Sequence, residues 1–293
     1  MASLSSAESE SHERGLDLFR RLGGNCLHVH GEGGETHSRI ALGRWLRKYD
    51  LRAEMFVCTQ VCHDGWDPMT KRTIDRFTAD ALYEDIDADL ELLETDYLDL
   101  VYAANAKDTG IAAFVDAMAK EIQCGRVRAY GVRNWTEAQL RQATDHARRI
   151  GAPGPAVVVT TELALPMAAQ PLWPDDIPFA QIEDAVRDLG LAVFAHADAY
   201  NQGPGLFDDQ PVPPRWARRW DRQTNASLVR GLTEIASEKK TTPQELILAW
   251  LLNRPFPSLA VVSLPELLAA PEIFTLAAVM PFDSAALARL RGK

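Results

Sequence analysis

The sequence predicts an α/β fold, a TIM-type (β/α)8 barrel whose first strand is missing or replaced. Three observations lead there. Short apolar strand candidates recur along the chain, separated by amphipathic stretches long enough for helices, which is the alternation of parallel βαβ units. A chain of 293 residues, 46% hydrophobic, can bury the core of such a barrel as one domain spanning residues 1–293. Seven strand candidates can be counted, one fewer than a closed eightfold barrel requires.

Taken in order, the chain begins with a polar tail, residues 1–9 ("MASLSSAES"), short of β-branched residues and so not expected to form a strand. The strand candidates are 25–30, 54–61, 97–104, 126–132, 156–161, 191–197 and 258–264. "THSRIALGRWLRKY" opens on Thr36 as an N-cap and repeats Ile40, Leu42, Trp45 and Leu46 at near-helical spacing. "TADALYEDIDADLELLETD" starts on Thr78 and carries Leu82, Ile86, Leu90 and Leu93, so it reads as a helix; "TPQELILAWLLNR" places Pro243 in the first turn after Thr242. Residues 196–223 are rich in Gly and Pro and too long for an ordinary connection, which predicts a lid over one end of the barrel. With one strand short, the strands at 25–30 and 258–264 would expose unpaired edges; residues 1–9 folding back, a second copy of the chain or another protein would then cover them.

Composition removes several classes of function. A net charge of −10 with scattered Arg side chains repels a phosphate backbone, so nucleic acid is not an expected partner. No apolar run is long enough for a membrane span and no basic segment precedes an apolar one, so a cytoplasmic protein is expected. The four cysteines, Cys26, Cys58, Cys62 and Cys124, are too few for a disulfide framework and read as free thiols.

The candidate chemistry lies in the histidines. His28, His30, His37, His63 and His196 fall at or just beyond strand C-termini, the functional face of such barrels. His28 and His30 lie two apart on one strand and share a side, as do Cys58, Gln60 and Cys62 on the next. General acid–base chemistry by His28 or His196, with Glu162 or Asp198 as orienting partner, is one reading. A metal held by His28, His30 and Cys62, His63, His196 or Asp198 is another; no second tight ligand pair supports it and no metal is expected. The plainest reading is a set of hydrogen-bonded polar side chains lining a wet, disused pocket. "GEGGE" (31–35) reads as a turn, since its two Glu would repel phosphate; Cys62 reads as a structural thiol, and "WARRW" (216–220) as a surface helix turn.

"LETDYLDLVY", "AMAKEIQCGRVRAYGVRNWTEAQL" and "TPQELILAWLLNRPFP" resemble the aldo-keto reductase superfamily from about residue 15 to about residue 265. "PLWPDD" and "LNRPFP" are similar to the branch related to Gfo/Idh/MocA-fused members. The resemblance implies an eight-stranded barrel binding NADPH at the strand C-termini, with a Tyr acid, a Lys that lowers its pKa, an Asp and a His. Anchored on "LGRWL", the Asp position holds His28, the Tyr position Gly33, the Lys position Gln60 and the His position Ala104. The family tetrad is not retained. The cofactor positions implied at the end of the fifth family strand read Arg133 and Asn134, the Gln-Asn pair on the sixth reads Thr160-Thr161, and the stacking aromatic on the seventh reads His196. "SLPELLAAPEI" after the last strand offers a phosphate only Glu266 and Glu272, so no cofactor is expected and NADPH enters by resemblance alone. The expected function is non-redox chemistry on a small molecule in a bacterial biosynthetic pathway. The alternatives are a noncatalytic partner subunit binding another protein, or itself, at the open edge, and a divergent NADPH-dependent oxidoreductase.

Overall fold

A computed structural model of the chain describes residues 1–4, 9–29, 36–67, 69–163, 176–196, 206–207, 220–221, 223 and 225–272. Its centre is a closed, all-parallel barrel of eight strands. In chain order the elements are β1 (Ala2–Leu4), α1 (Ser9–Arg21), β2 (Cys26–Val29), α2 (Thr36–Lys48), β3 (Phe56–Val61), β4 (Gly65–Asp67), β5 (Arg72–Ile74) and α3 (Ala79–Leu93). They continue with β6 (Leu98–Ala104), α4 (Ile111–Gln123), β7 (Val127–Arg133), α5 (Glu137–Ile150), β8 (Val157–Thr160) and α6 (Glu183–Asp188). The last are β9 (Ala192–His196), α7 (Ala226–Lys239), α8 (Pro243–Leu252), β10 (Ser258–Ser263) and α9 (Leu264–Ala269). Around the barrel the strands run β1-β10-β9-β8-β7-β6-β3-β2, while β4 and β5 form a separate antiparallel hairpin.

Of the three covers expected for the open edge, the first is the one observed: the start of the chain folds back and supplies the barrel's first strand. Ala2, Ser3 and Leu4 pair with Leu27, His28 and Val29 on one side, and Ala2 and Ser3 pair with Val262 and Ser263 on the other. The physical reason is alternation rather than propensity. Ala2 and Leu4 point outward into the shell between barrel and helices, both fully buried, while Ser3 points inward. No edge is left open, so a partner at that edge loses its premise.

The seven anticipated strands appear with ends shifted by one or two residues; α3 and α8 begin directly after the anticipated caps Thr78 and Thr242, while Thr36 is itself the first residue of α2. Thr78 accepts a hydrogen bond from the N–H of Ala81 at the start of α3. At α8, Thr242 and Glu245 form a reciprocal capping box with Pro243 in the first turn. The lid at 196–223 falls largely outside the described residues, although Leu206 and Trp220 within it are buried.

Two apolar layers hold the barrel. The outer one lies between strands and helices; the inner one fills the lumen with Cys58, Leu100, Tyr102, Val157, Val159, Phe194 and Val261. The end carrying the strand N-termini is pinned by Asp99, which accepts from the backbone N–H of Val57 at 2.9 Å and pairs with Arg52 and Arg128 at 2.9 and 2.8 Å. Both guanidiniums lie on the Tyr97 ring, 3.7 and 4.0 Å from its centroid. The "DYLDL" stretch is therefore structural, and the chemistry belongs at the opposite end.

Candidate active site

Strand alternation decides which side chains enter the lumen. On β2 the inward positions include His28; on β3, Cys58 and Gln60; on β6, Tyr102; on β9, Phe194 and His196. His28 is 0% exposed and has a partner at each ring nitrogen: Tyr102 Oη lies 2.8 Å from Nε2 and Ser3 Oγ 3.2 Å from Nδ1. A neutral imidazole has one donor and one acceptor, so the chain has two polarities. In one, the Ser3 hydroxyl donates to Nδ1 and Nε2–H donates to Tyr102; in the other, the Tyr102 hydroxyl donates to Nε2 and Nδ1–H donates to Ser3. Either arrangement satisfies both ring nitrogens and leaves the imidazole neutral, so the chain carries no buried charge. The ring of His196, 8% exposed at the end of β9, stands edge-on to His28 with centroids 6.2 Å apart.

Of the candidates read from the sequence, His28 and His196 come together in the lumen, beside two residues that were not among them, Ser3 and Tyr102. Ser3 was hidden in the supposed tail, and Tyr102 in a strand read for its apolar pattern; the signal for Tyr102 was its shared parity with Leu100, an inward position. His30 and Asp198 lie outside the described residues. His37 is exposed on α2, away from the lumen. Cys62 does not continue the series from Cys58 and Gln60: it leaves the strand with φ 57°, its N–H bonds Asp85, and it packs in the outer shell. Burial pushes its thiol up to about 12, so it supplies no thiolate near neutral pH. Among the described residues no group of three or more His, Cys, Asp or Glu could hold a metal ion.

Glu162, Arg133 and Asn134 meet in a cleft beside the lumen, at the C-terminal ends of β7 and β8. It is open to solvent and is also lined by Thr160, Thr161, Asp176 and Ile177. The N–H of Glu162 donates to Thr160 Oγ1 at 2.9 Å, and its carboxylate faces the Thr161 hydroxyl at 3.4 Å, whose one proton has Asp176 as the nearer acceptor at 3.0 Å. Asn134, at φ 58°, donates to Asn105 Oδ1 at 2.6 Å and accepts from the N–H of Ile177 at 2.6 Å. Its amide is thus engaged in joining three loops.

Gln60, at the position implied for the family Lys, is 5% exposed, and its Oε1 has no hydrogen-bond partner among the described residues. Ala104 ends β6 at the position implied for the family His. NADPH, which the resemblance implies, would need a phosphate site after the last strand. There Ser263 caps α9, and its hydroxyl and N–H both donate to the Glu266 carboxylate, at 2.7 and 3.4 Å. A carboxylate already occupies the amide and dipole that would attract a phosphate, so these residues do not fit that group.

The profile of the Aldo/keto reductase family matches residues 29–293. The chain is 25% identical to the aldo-keto reductase yakc (NADP(+)) of Schizosaccharomyces pombe over 224 residues, covering 72% of this chain and 61% of the yeast protein. It spans, that is, less than two thirds of that relative's length. Among solved structures it is similar to the aldo/keto reductase of Klebsiella pneumoniae in complex with NADP and acetate, with TM-score 0.67 and 18% identity, covering 98% of this chain and 86% of that one. At that identity the likeness is one of fold.

Proposed function

Because the chain belongs to the aldo/keto reductase family, we propose that it keeps the family's barrel and uses its mouth for non-redox acid–base chemistry on a small molecule: an elimination, a cyclisation or an isomerisation. The observation that carries this reading is the lumen chain Ser3–His28–Tyr102 with His196 beside it. Carbonyl reduction needs a proton donor tuned by a neighbouring cation, and the positions that would supply the cation and the His hold Gln60 and Ala104. An imidazole exchanges a proton near pH 7 without such help. In this reading His196, the less buried ring, accepts or delivers the proton at the substrate. His28 is a positioning residue whose two hydroxyl partners hold its ring in place, and His30, Asp198 and Glu162 complete the proposed set.

A second reading, a divergent NADP-dependent reductase, has in its favour Asn134 at the end of β7 and the names of the relatives. Fluorescence titration with NADPH, combined with a reduction assay on 4-nitrobenzaldehyde, separates the two. Weak or absent binding and no reduction are expected. A dissociation constant in the low micromolar range with turnover would overturn the non-redox reading.

A further inference from the structure

Arg133 ends β7 on the inward parity of Ala129, which packs in the lumen cluster, and it lines the cleft beside Asn134 and Thr161. It is the only basic side chain among the described residues of that cleft. It is half-buried, yet its guanidinium makes no hydrogen bond or ion pair among the described residues, although Glu162 and Asp176 line the same space. Those two carboxylates are turned to the Thr161 hydroxyl instead. A partly desolvated guanidinium without a counter-ion is costly, and its planar fork matches a carboxylate in a bidentate pair.

Two acceptors share the cleft with that cation, the carboxylates of Glu162 and Asp176. A cation beside carboxylates matches a ligand that carries an anion for the one and a hydrogen-bond donor for the others.

We infer that the cleft binds a small monocarboxylate bearing a hydroxyl or ammonium group, its carboxylate on Arg133 and its donor directed to Glu162 and Asp176. A phosphate ester is disfavoured, because its second negative charge would meet Glu162 and Asp176, whereas a donor group on a monocarboxylate complements them. This rests on the proposed small-molecule chemistry at the same mouth and adds the class of substrate.

The test is calorimetric titration of the full chain, without NADPH, with 3-hydroxybutyrate and serine as carboxylate probes, and with butane-1,3-diol and inorganic phosphate as controls. At least one carboxylate should bind, with the diol and phosphate about tenfold weaker or more. Arg133→Met should weaken the carboxylate by about tenfold or more, the range of a lost charge-assisted pair, and Arg133→Lys should recover part of it. Circular dichroism melts verify that both variants fold. Failure of both carboxylates to bind, equal binding to Arg133→Met, or a preference for phosphate overturns the inference. If NADPH binds while carboxylate binding still depends on Arg133, only the non-redox reading falls; if NADPH does not bind and neither do the carboxylates, only the substrate class falls.

Discussion

At the scale of single residues, burial governs the thiols more than their sequence neighbours do. Desolvation raises Cys26 to about 11 and Cys62 to about 12, and Cys58 well above the ordinary value of 9.0, while Cys124 is exposed. Each raised thiol stays protonated in the fold where the unfolded chain would ionise. Its stabilising contribution is therefore complete below pH 9 and is lost as pH rises from 9 towards 11 or 12, at about 1.4 kcal/mol per pH unit for each group. Melting temperature should thus fall steeply above pH 9, and at pH 8 a thiol reagent should label Cys124 alone until denaturant is added. Rapid labelling of a second cysteine in the native protein would contradict this. His28 and His196 were readable as candidates because histidines at strand ends are conspicuous. Tyr102 and Ser3 were not, since one looks like a strand apolar and the other like tail, and only the closed lumen makes them neighbours of His28.

At the scale of elements, caps and periodicity made α2, α3 and α8 and seven strands readable, because those signals are local. What no periodicity encodes is how closely two helices cross. A Cβ on Gly43 of α2 would come within 2.6 Å of the backbone carbonyl oxygen of Leu93 in α3, so the glycine of "LGRWL" is a contact point. Nearby, Arg39 of α2 is paired with Asp89 of α3, both buried. Gly43→Ala must push the helices apart and strain that ion pair. Although alanine favours helix by about 1 kcal/mol, a net loss of about 1–3 kcal/mol is expected in denaturant unfolding. A neutral or stabilising result would mean that the crossing relaxes freely.

At the scale of the whole molecule, three residues decide whether the barrel closes. Removing residues 1–4 would expose the ladders of β2 and β10 together, leave His28 without Ser3, and take Ala2 and Leu4 out of the outer shell. Each buried backbone group left unpaired costs about 1–3 kcal/mol, so several rival a domain's net stability of about 5–15 kcal/mol. Light scattering should report association or aggregation of the shortened chain, and a well-behaved monomer with an unchanged melt would show β1 to be dispensable. The tertiary pairing that closes the barrel overrides the weak strand propensity of this segment, which is why sequence pattern alone left the circle open. The same strand also sets a schedule for biosynthesis. Its partner β2 follows within about 25 residues, but Val262 of β10 is made about 260 residues later. At roughly 5–20 residues per second, a ribosome would keep β1 half-paired for about 13–50 seconds. Throughout that interval the nascent chain carries an unfinished edge, a template for pairing with another chain until the last strand emerges.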